Sequence, residues 1–273
     1  MPISIHFAVS PCPWAWASDH LRGRSAVPEF PIIDSHVHLL NPKNLDYSWT
    51  RNAPSLNRQA LPDDLMRAAD PVRIDRFVFV EVDVDFPQHL EEAAWIEGLA
   101  HSDRRLAGMV AALPLERGKA VEVELDQLRR HKTLRAVRRL IQNQPDPEFC
   151  IRPDFIAGLK LLAPHDLAFD VCILHHQMPN AIKMVRQCPE VRFVLDHIGK
   201  PAIKAGIFDP WRQHLRAAQT LHCPCDRNFR LRSRHVWRRL ACPGACRHLP
   251  AMGRDCRLGR RGRHGRGETQ TLP

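Results

Sequence analysis

Short apolar runs rich in β-branched residues recur along the chain, and each is followed by a stretch in which apolar and charged residues mix at helical spacing. Within each run the apolar residues fall on both faces of an extended backbone. The runs cover residues 32–38, 76–82, 106–113, 134–141, 167–174 and 191–198. Strands of this kind, buried on both faces and separated by helices, are typical of a parallel sheet.

The stretches between the runs predict helices. Val121, Leu125 and Leu128 follow a helical period, and Asp209-Pro210 supplies an N-cap followed by a first-turn proline. The predicted helices cover residues 88–100, 119–131, 154–162 and 180–187, and another begins at 209. Six β-α units without a dinucleotide-binding glycine fingerprint favour a barrel over a doubly wound sheet. The predicted fold class is therefore α/β, with a TIM-type (β/α)₈ barrel.

The character of the chain changes at about residue 219. Beyond this point Arg, Cys, Gly, Pro and His dominate, and no β-branched run occurs. Strands seven and eight of the barrel are therefore predicted to be missing. The sequence predicts three parts: an irregular N-terminal extension over 1–30, barrel strands one to six over 31–218, and an Arg- and Cys-rich tail over 219–273.

Charge divides the 273-residue chain at the same place. The formal net charge is +10, and residues 219–273 account for all of it with 13 Arg, no Lys and 3 acidic residues. Residues 1–218 are balanced, with 27 basic and 27 acidic side chains. A basic chain can bind nucleic acid, but here the basic character belongs to the tail alone. Nucleic-acid binding through this tail is kept as an alternative function.

Three interpretations of the tail compete: a disordered basic arm, a zinc module and DNA translated out of frame. Cys223-Pro-Cys225 and Cys242-x-x-x-Cys246 depart from the usual two-residue spacing of zinc-binding cysteine pairs. Codons for Arg227–Arg230, shifted by one base, can encode Gly-Ile-Ser-Gly, which resembles the seventh-strand segment of the family introduced below. A frameshift is the interpretation we favour, because an excess of Arg without Lys is typical of GC-rich DNA read in the wrong frame.

Histidines at predicted strand ends are the main candidates for chemistry. His36 and His38 lie two residues apart in the first strand, so both side chains project to the same face. Two imidazoles on one wall can bind a divalent metal or polarise a carbonyl group. His197 ends the sixth strand, and we expect the adjacent Asp196 to point away from it in a structural role. Of the adjacent histidines that end the fifth strand, only one can face the barrel mouth.

Charged side chains end two further strands. Arg138 lies in the fourth strand, where a guanidinium can bind a carboxylate or a lactone carbonyl in a bidentate manner. Glu81 closes the second strand and is a candidate acid at the barrel mouth. A solvated surface charge is the alternative for each.

Several segments carry a family resemblance: IIDSHVHLLNPKNLDYSW, FVFVEVDVD, AVRRLIQNQPDPEF and FDVCILHHQMPNAIKMVRQCPEVRFVLDHIGKP. Over residues 31–218 the chain resembles the amidohydrolase-related family, and within it the hydrolases of L-fuconolactone and L-rhamnonolactone type. With the strand-end positions, the resemblance assigns catalytic roles to His36, His38, Arg138, His176 and His197. It likewise assigns substrate binding to His175 and ligation of any bound metal to His36, His38 and His197. Substrate binding by Glu81 is predicted from its strand-end position alone.

The resemblance implies a small-molecule partner, a sugar-acid lactone whose ring carbonyl is attacked by water. It implies either no required cofactor or one divalent metal ion, and no fourth-strand lysine ligand is evident here. The family's eighth strand ends in a water-activating aspartate near Gly-x-Asp-Trp-Pro, and this motif is missing from the sequence. The chain as written is therefore expected to be inactive or nearly so, and a non-catalytic barrel fragment is a further alternative.

Sequence reasoning also addresses location. No apolar run reaches the roughly 18 residues that a membrane span needs. The four cysteines before residue 219 are widely spaced and show no disulfide framework, which fits a reducing compartment. We therefore expect a cytoplasmic protein without a membrane partner, and the sequence leaves its oligomeric state open.

Overall fold

The computed structural model describes residues 28, 30–220 and 229–231. Within them a parallel sheet runs in simple sequence order, β1-β2-β3-β4-β5-β6-β7. Its strands are β1 (Ile32–Val37), β2 (Ile74–Val80), β3 (Leu106–Ala112), β4 (Leu134–Arg138), β5 (Ala168–Val171), β6 (Arg192–Leu195) and β7 (Phe229–Leu231). An order without reversal is that of a curled, partial TIM-type barrel, since a doubly wound sheet reverses its strand order.

Helices connect the strands. They are α1 (Pro62–Ala69), α2 (His89–Ser102), α3 (Glu122–Leu128), α4 (Pro153–Lys160), α5 (Met178–Gln187) and α6 (Trp211–Thr220). The predicted helix over 119–131 is shorter in the structure, because a 3₁₀ segment, Leu115–Val121, precedes α3 and contains Gly118 with φ of 63°. Among the described residues no helix is long and apolar enough to cross a membrane.

The two faces of the sheet carry side chains of different size. Large side chains such as Phe77, Phe169 and Phe193 belong to the core between the sheet and the helices. The residues that alternate with them form a separate inner cluster of small side chains: Val78, Val80, Val110, Ala136, Ala168 and Val194. This alternation follows from the two-residue period of a strand. It therefore fixes which strand-end residues point toward the barrel axis.

The prediction that strand seven is missing is wrong in part. A three-residue strand, Phe229–Leu231, pairs in parallel with Phe193–Leu195 of β6. Strand pairing uses backbone groups that every non-proline residue has, so a segment without a β-branched run can still occupy the edge of β6. Apart from this strand and the end of α6, the predicted tail lies outside the described residues, as does most of the predicted N-terminal extension.

Candidate active site at the strand ends

All seven strands are parallel, so their carboxyl ends lie at one edge of the sheet. In β1, Val37 packs in the helix-facing core, which places His36 on the inner face. In β4 the same alternation places Arg138 inward, beside Ala136 of the inner cluster. In a TIM-type barrel this edge is where active sites are built.

His36 and His38 meet at this edge, as their spacing predicts. Their Nε2 atoms are 3.3 Å apart, and Nδ1 of His38 lies 2.8 Å from the carbonyl oxygen of Val80. Because a carbonyl only accepts, Nδ1 of His38 is the donor, and the lone pair of the neutral ring is on Nε2. Two nitrogens that share one tetrahedral zinc ion at about 2.0–2.1 Å lie about 3.3–3.4 Å apart. The pair therefore has the spacing of two ligands on one metal.

Asp196 and His197 follow β6 and complete the cluster around His36. Oδ1 of Asp196 is 3.7 Å from Nδ1 of His36, and the rings of His197 and His36 have centroids 4.6 Å apart. Asp196 is fully buried, whereas His197 is exposed at the mouth. His197 and Ile198 have left-handed backbone angles, with φ of 50° and 51°, which turn the chain sharply here.

Arg138 lies beneath these residues, only 3% exposed. Its Nε donates to Oε1 of Glu81, one terminal nitrogen donates to the Glu81 carbonyl, and the other is 3.1 Å from Oδ2 of Asp196. The second carboxylate oxygen of Glu81 accepts from the backbone N–H of Asp83 at 2.7 Å. The guanidinium thus joins the ends of β2, β4 and β6 from below. This geometry favours a role in holding Glu81 and Asp196 over direct contact with substrate.

The buried charges determine which side chains are neutral. His38 is partly open to solvent, but the protein around its ring removes most of the water that would solvate the charged form. This desolvation and the nearby charge of Arg138 lower the pKa of His38 to about 4. Partial burial, Lys200 and Arg138 likewise lower the pKa of His197 to about 4. Burial raises the pKa of Asp196, even though Arg138 opposes this effect. At neutral pH both imidazoles are therefore uncharged and have the lone pairs that a metal requires.

A metal ion fits the donor set. One ring nitrogen each from His36 and His197 and one carboxylate oxygen from Asp196 all lie within 4.8 Å of one another. This trio shares two members with the predicted set of His36, His38 and His197, and it adds Asp196. The hydrogen bond from His38 to the Val80 carbonyl is the kind of outer contact that fixes a ligating imidazole.

The remaining predicted residues do not belong to this donor group. His175 is half-buried and His176 exposed in a 3₁₀ turn after β5, with ring centroids 5.7 Å apart. Their proposed substrate and catalytic roles stay predictions. Glu81, expected to bind substrate, is 2% exposed and is the partner of Arg138. Its position favours an internal ion pair.

Sequence reasoning missed the place of Asp196. Phe193 and Leu195 pack toward the helices, so the alternation of β6 places Val194 and then Asp196 on the inner face. The expectation that Asp196 points away from His197 is therefore wrong, whereas its structural role stays a prediction. His197 reaches the same mouth because the left-handed turn interrupts the alternation. The alternation of the large Phe193 with the smaller Val194 was the sequence signal that could have placed Asp196 on the inner face.

Asp170 was missed for a similar reason. It follows Ala168 of the inner cluster by two residues, is 0% exposed, and is the register partner of Arg138. Asp170 lies within the apolar run 167–174, which predicted an ordinary buried strand, so its carboxylate was not considered as a site residue. The structure places it on the inner face beside the ion pairs of the site.

Comparisons with known proteins agree with this architecture. The model of the family described as Amidohydrolase matches residues 33–226. The L-fucono-1,5-lactonase of Burkholderia multivorans is 28% identical over 225 residues, covering 80% of this chain and 74% of that protein. The L-fucono-1,5-lactonase of Burkholderia ambifaria is 25% identical over 195 residues, covering 70% and 66%.

A solved structure gives the same result. An amidohydrolase from Burkholderia multivorans, crystallised with bound zinc, is 25% identical, with a TM-score of 0.63 over 77% of this chain and 73% of that one. The family match takes in β2 to β6 whole, nearly all of β1 and every residue of the site described above. The chain therefore belongs to the amidohydrolase family.

Proposed function

We propose that the site hydrolyses a sugar-acid lactone of the L-fucono-1,5-lactone type. The observation that carries the proposal is the convergence of His36, His38, Asp196 and His197 at one edge of a parallel sheet. The two lactonases named above, at 25% and 28% identity, support this substrate class. Hydrolysis at a ring carbonyl needs groups that stabilise a developing oxyanion, and this cluster can supply them.

We further propose that the site holds one divalent metal ion. The zinc in the Burkholderia multivorans amidohydrolase and the three-residue donor cluster support the ion over the alternative of no cofactor. His36, Asp196 and His197 would hold it, with His38 adjacent. A bound divalent ion supplies Lewis-acid polarisation of the lactone carbonyl.

The chain's own residues prepare the site in two ways. The hydrogen bond to Val80 fixes the ring of His38, with Nε2 presented toward His36. Arg138 holds the carboxylates of Glu81 and Asp196 in fixed positions, so Asp196 stays near His36. Preorganised polar groups of this kind avoid reorganisation during the reaction.

Activation of water is the part of the reaction that the described residues do not assign. The family resemblance places this role on an eighth-strand aspartate, and the sequence lacks the corresponding motif. We therefore propose that the chain as written has little activity. A frame-restored version, made by inserting or deleting one base near codon 219, should regain the aspartate and the activity.

The experiment is a pH-stat measurement of lactone ring opening, which releases one proton per turnover at neutral pH. We expect a low rate for the chain as written and a clearly higher rate for the frame-restored version on L-fucono-1,5-lactone. Both should be assayed with and without added zinc. A frame-restored protein that folds yet opens no sugar-acid lactone would contradict the proposed function.

The nucleic-acid alternative rests on the tail, which lies outside the described residues apart from β7 and the end of α6. It predicts binding to duplex DNA that weakens steeply with salt, because contacts to phosphate release counterions. Loss of that binding when residues 219–273 are deleted would confine the activity to the tail. Salt-insensitive, sequence-selective binding by residues 1–218 would instead favour a nucleic-acid-binding function of the barrel part itself over hydrolysis.

A further inference from the structure

A second polar cluster lies at the ends of β4, β5 and β6, beside the residues described above. It consists of Gln142, Cys172 and Lys200, each in the segment that follows one of these strands. The backbone N–H groups of Ile141 and Gln142 both donate to the carbonyl of Cys172 at 3.1 Å, which ties the first two segments together. The cluster therefore shares the mouth edge of the sheet with His197.

Lys200 is held firmly in this cluster. Its ammonium group donates to Oε1 of Gln142 and lies 3.3 Å from Sγ of Cys172. Its backbone N–H donates to the carbonyl of His197 at 3.0 Å, and its φ of 46° continues the left-handed turn after β6. Two side-chain contacts leave one of the three ammonium protons available to a ligand.

Lys200 makes no close salt bridge within the described residues, although its charge acts on Asp196 in the same turn and lowers the pKa of that carboxyl against the larger, raising effect of burial. Within the described part of the chain, no carboxylate oxygen lies within 4.0 Å of its ammonium nitrogen, although the side chain is half-buried. Burial raises the pKa of Cys172, so the thiol stays neutral and adds no negative charge. A partly desolvated cation without a contacting carboxylate favours an anionic ligand.

Gln142 adds a second donor. Its Oε1 faces the ammonium group because a lysine can only donate, so its amide nitrogen is the end left for other partners. Among the described residues this nitrogen makes no hydrogen bond. Together the two side chains offer an ammonium N–H and an amide N–H, which suits the two oxygens of a carboxylate.

We infer that Lys200 and Gln142 form a subsite for the carboxylate of the ring-opened sugar acid. The inference rests on the proposed function: water adds to the lactone carbonyl, the ring C–O bond breaks, the ring oxygen takes a proton, and the new acid loses one. The lactone is neutral and the product is an anion. The subsite therefore binds product more tightly than substrate, and the reaction shows product inhibition through Lys200.

The test is isothermal titration calorimetry on the full chain without added metal. L-Fuconate is the anionic probe, and L-fucitol, the matched alcohol without the carboxylate, is the neutral one. We expect L-fuconate to bind at least tenfold more tightly than L-fucitol. Lys200→Met should lower L-fuconate affinity about 10- to 100-fold, the usual loss for one charged hydrogen bond, and leave L-fucitol unchanged.

Three further variants make the test specific. Lys200→Arg should keep most of the L-fuconate affinity, because it keeps the charge. Lys204→Met, an exposed lysine in the same loop, should behave like the parent chain. Gln142→Glu places a carboxylate against Lys200, so it should abolish the preference for L-fuconate. Because this variant keeps the contact between residue 142 and Lys200 that holds the loop, it also serves as the test if Lys200→Met fails to fold.

The outcomes separate the two proposals. No preference for L-fuconate in the parent chain, an undiminished preference in Gln142→Glu, or an equal loss in Lys204→Met would overturn the carboxylate subsite. None of these binding results depends on turnover. Failure of the frame-restored protein to open lactones would instead count against the proposed function.

Discussion

Arg138 is the residue on which the arrangement of the site depends most. It is buried between Glu81 and Asp196, and removing one partner of a buried ion pair leaves the others uncompensated. Arg138→Met should therefore lower the free energy of unfolding by about 3–5 kcal/mol. Urea unfolding followed by circular dichroism measures this loss.

The matched control is Arg129→Met. Arg129 pairs with Asp126 on the exposed surface of α3, where such a pair contributes about 0–1 kcal/mol. Equal losses for the two variants would show that Arg138 does not hold the strand ends together.

Glu92 in α2 gives a prediction for pH dependence. The residue is 1% exposed, and burial together with the charge of Glu81 raises its pKa well above the ordinary value of 4.5. The folded chain therefore keeps a proton that the unfolded chain loses, and folding stability falls as pH rises above that value. Glu92→Gln removes this titration, so its stability relative to the parent should increase between pH 4 and pH 8. A pH-independent difference in urea unfolding would contradict the assignment.

At the scale of single residues, the sequence predicted the contacts that depend only on neighbouring positions in the chain. The two-residue spacing of His36 and His38 was enough to place both rings together, because the chain stays nearly extended from the end of β1 to His38. The partners of Arg138 could not be predicted, since they come from β2 and β6, 57 and 58 residues away. The left-handed turn at His197 also left no signal, because nothing in the local sequence requires a positive φ there.

Among the elements, α4 packs most closely on a neighbour. A Cβ added at Gly158 would lie 2.3 Å from the carbonyl oxygen of Leu115, in the 3₁₀ segment before α3. Gly158→Ala should therefore cost about 1–3 kcal/mol of unfolding free energy, as overpacking does. Gly98→Ala in α2 meets no atom within 4 Å and should be neutral or stabilise by about 0.5–1 kcal/mol. Thermal unfolding of both variants tests this contrast, and similar midpoints would refute it.

All six strands predicted as apolar runs are present, because burial on both faces is visible in a single sequence. Their ends were less predictable. The run 167–174 becomes β5 (Ala168–Val171), since the carbonyl of Cys172 accepts hydrogen bonds from the β4 loop instead of continuing the ladder. Helix α1 received no prediction. It is only eight residues long and starts at Pro62.

For the whole molecule, both the family match and the strand order of the sheet indicate a TIM-type barrel. The described strands form only part of such a barrel. Within the described residues β1 pairs with β2 alone, so its other edge has no strand beside it. Edges of this kind promote association. This arrangement is why we expect the chain as written to be both poorly soluble and nearly inactive.

The most direct test of the account measures ring opening of L-fucono-1,5-lactone by the frame-restored protein and its histidine variants. His36→Ala, His38→Ala and His197→Ala should each lose on the order of 10²–10⁴-fold in rate with little loss of folding, because these residues line the mouth. His101→Ala, an exposed histidine in α2, is the control and should keep the parent rate. Full activity in any of the three mouth variants, or in the chain as written, would contradict the proposed mechanism.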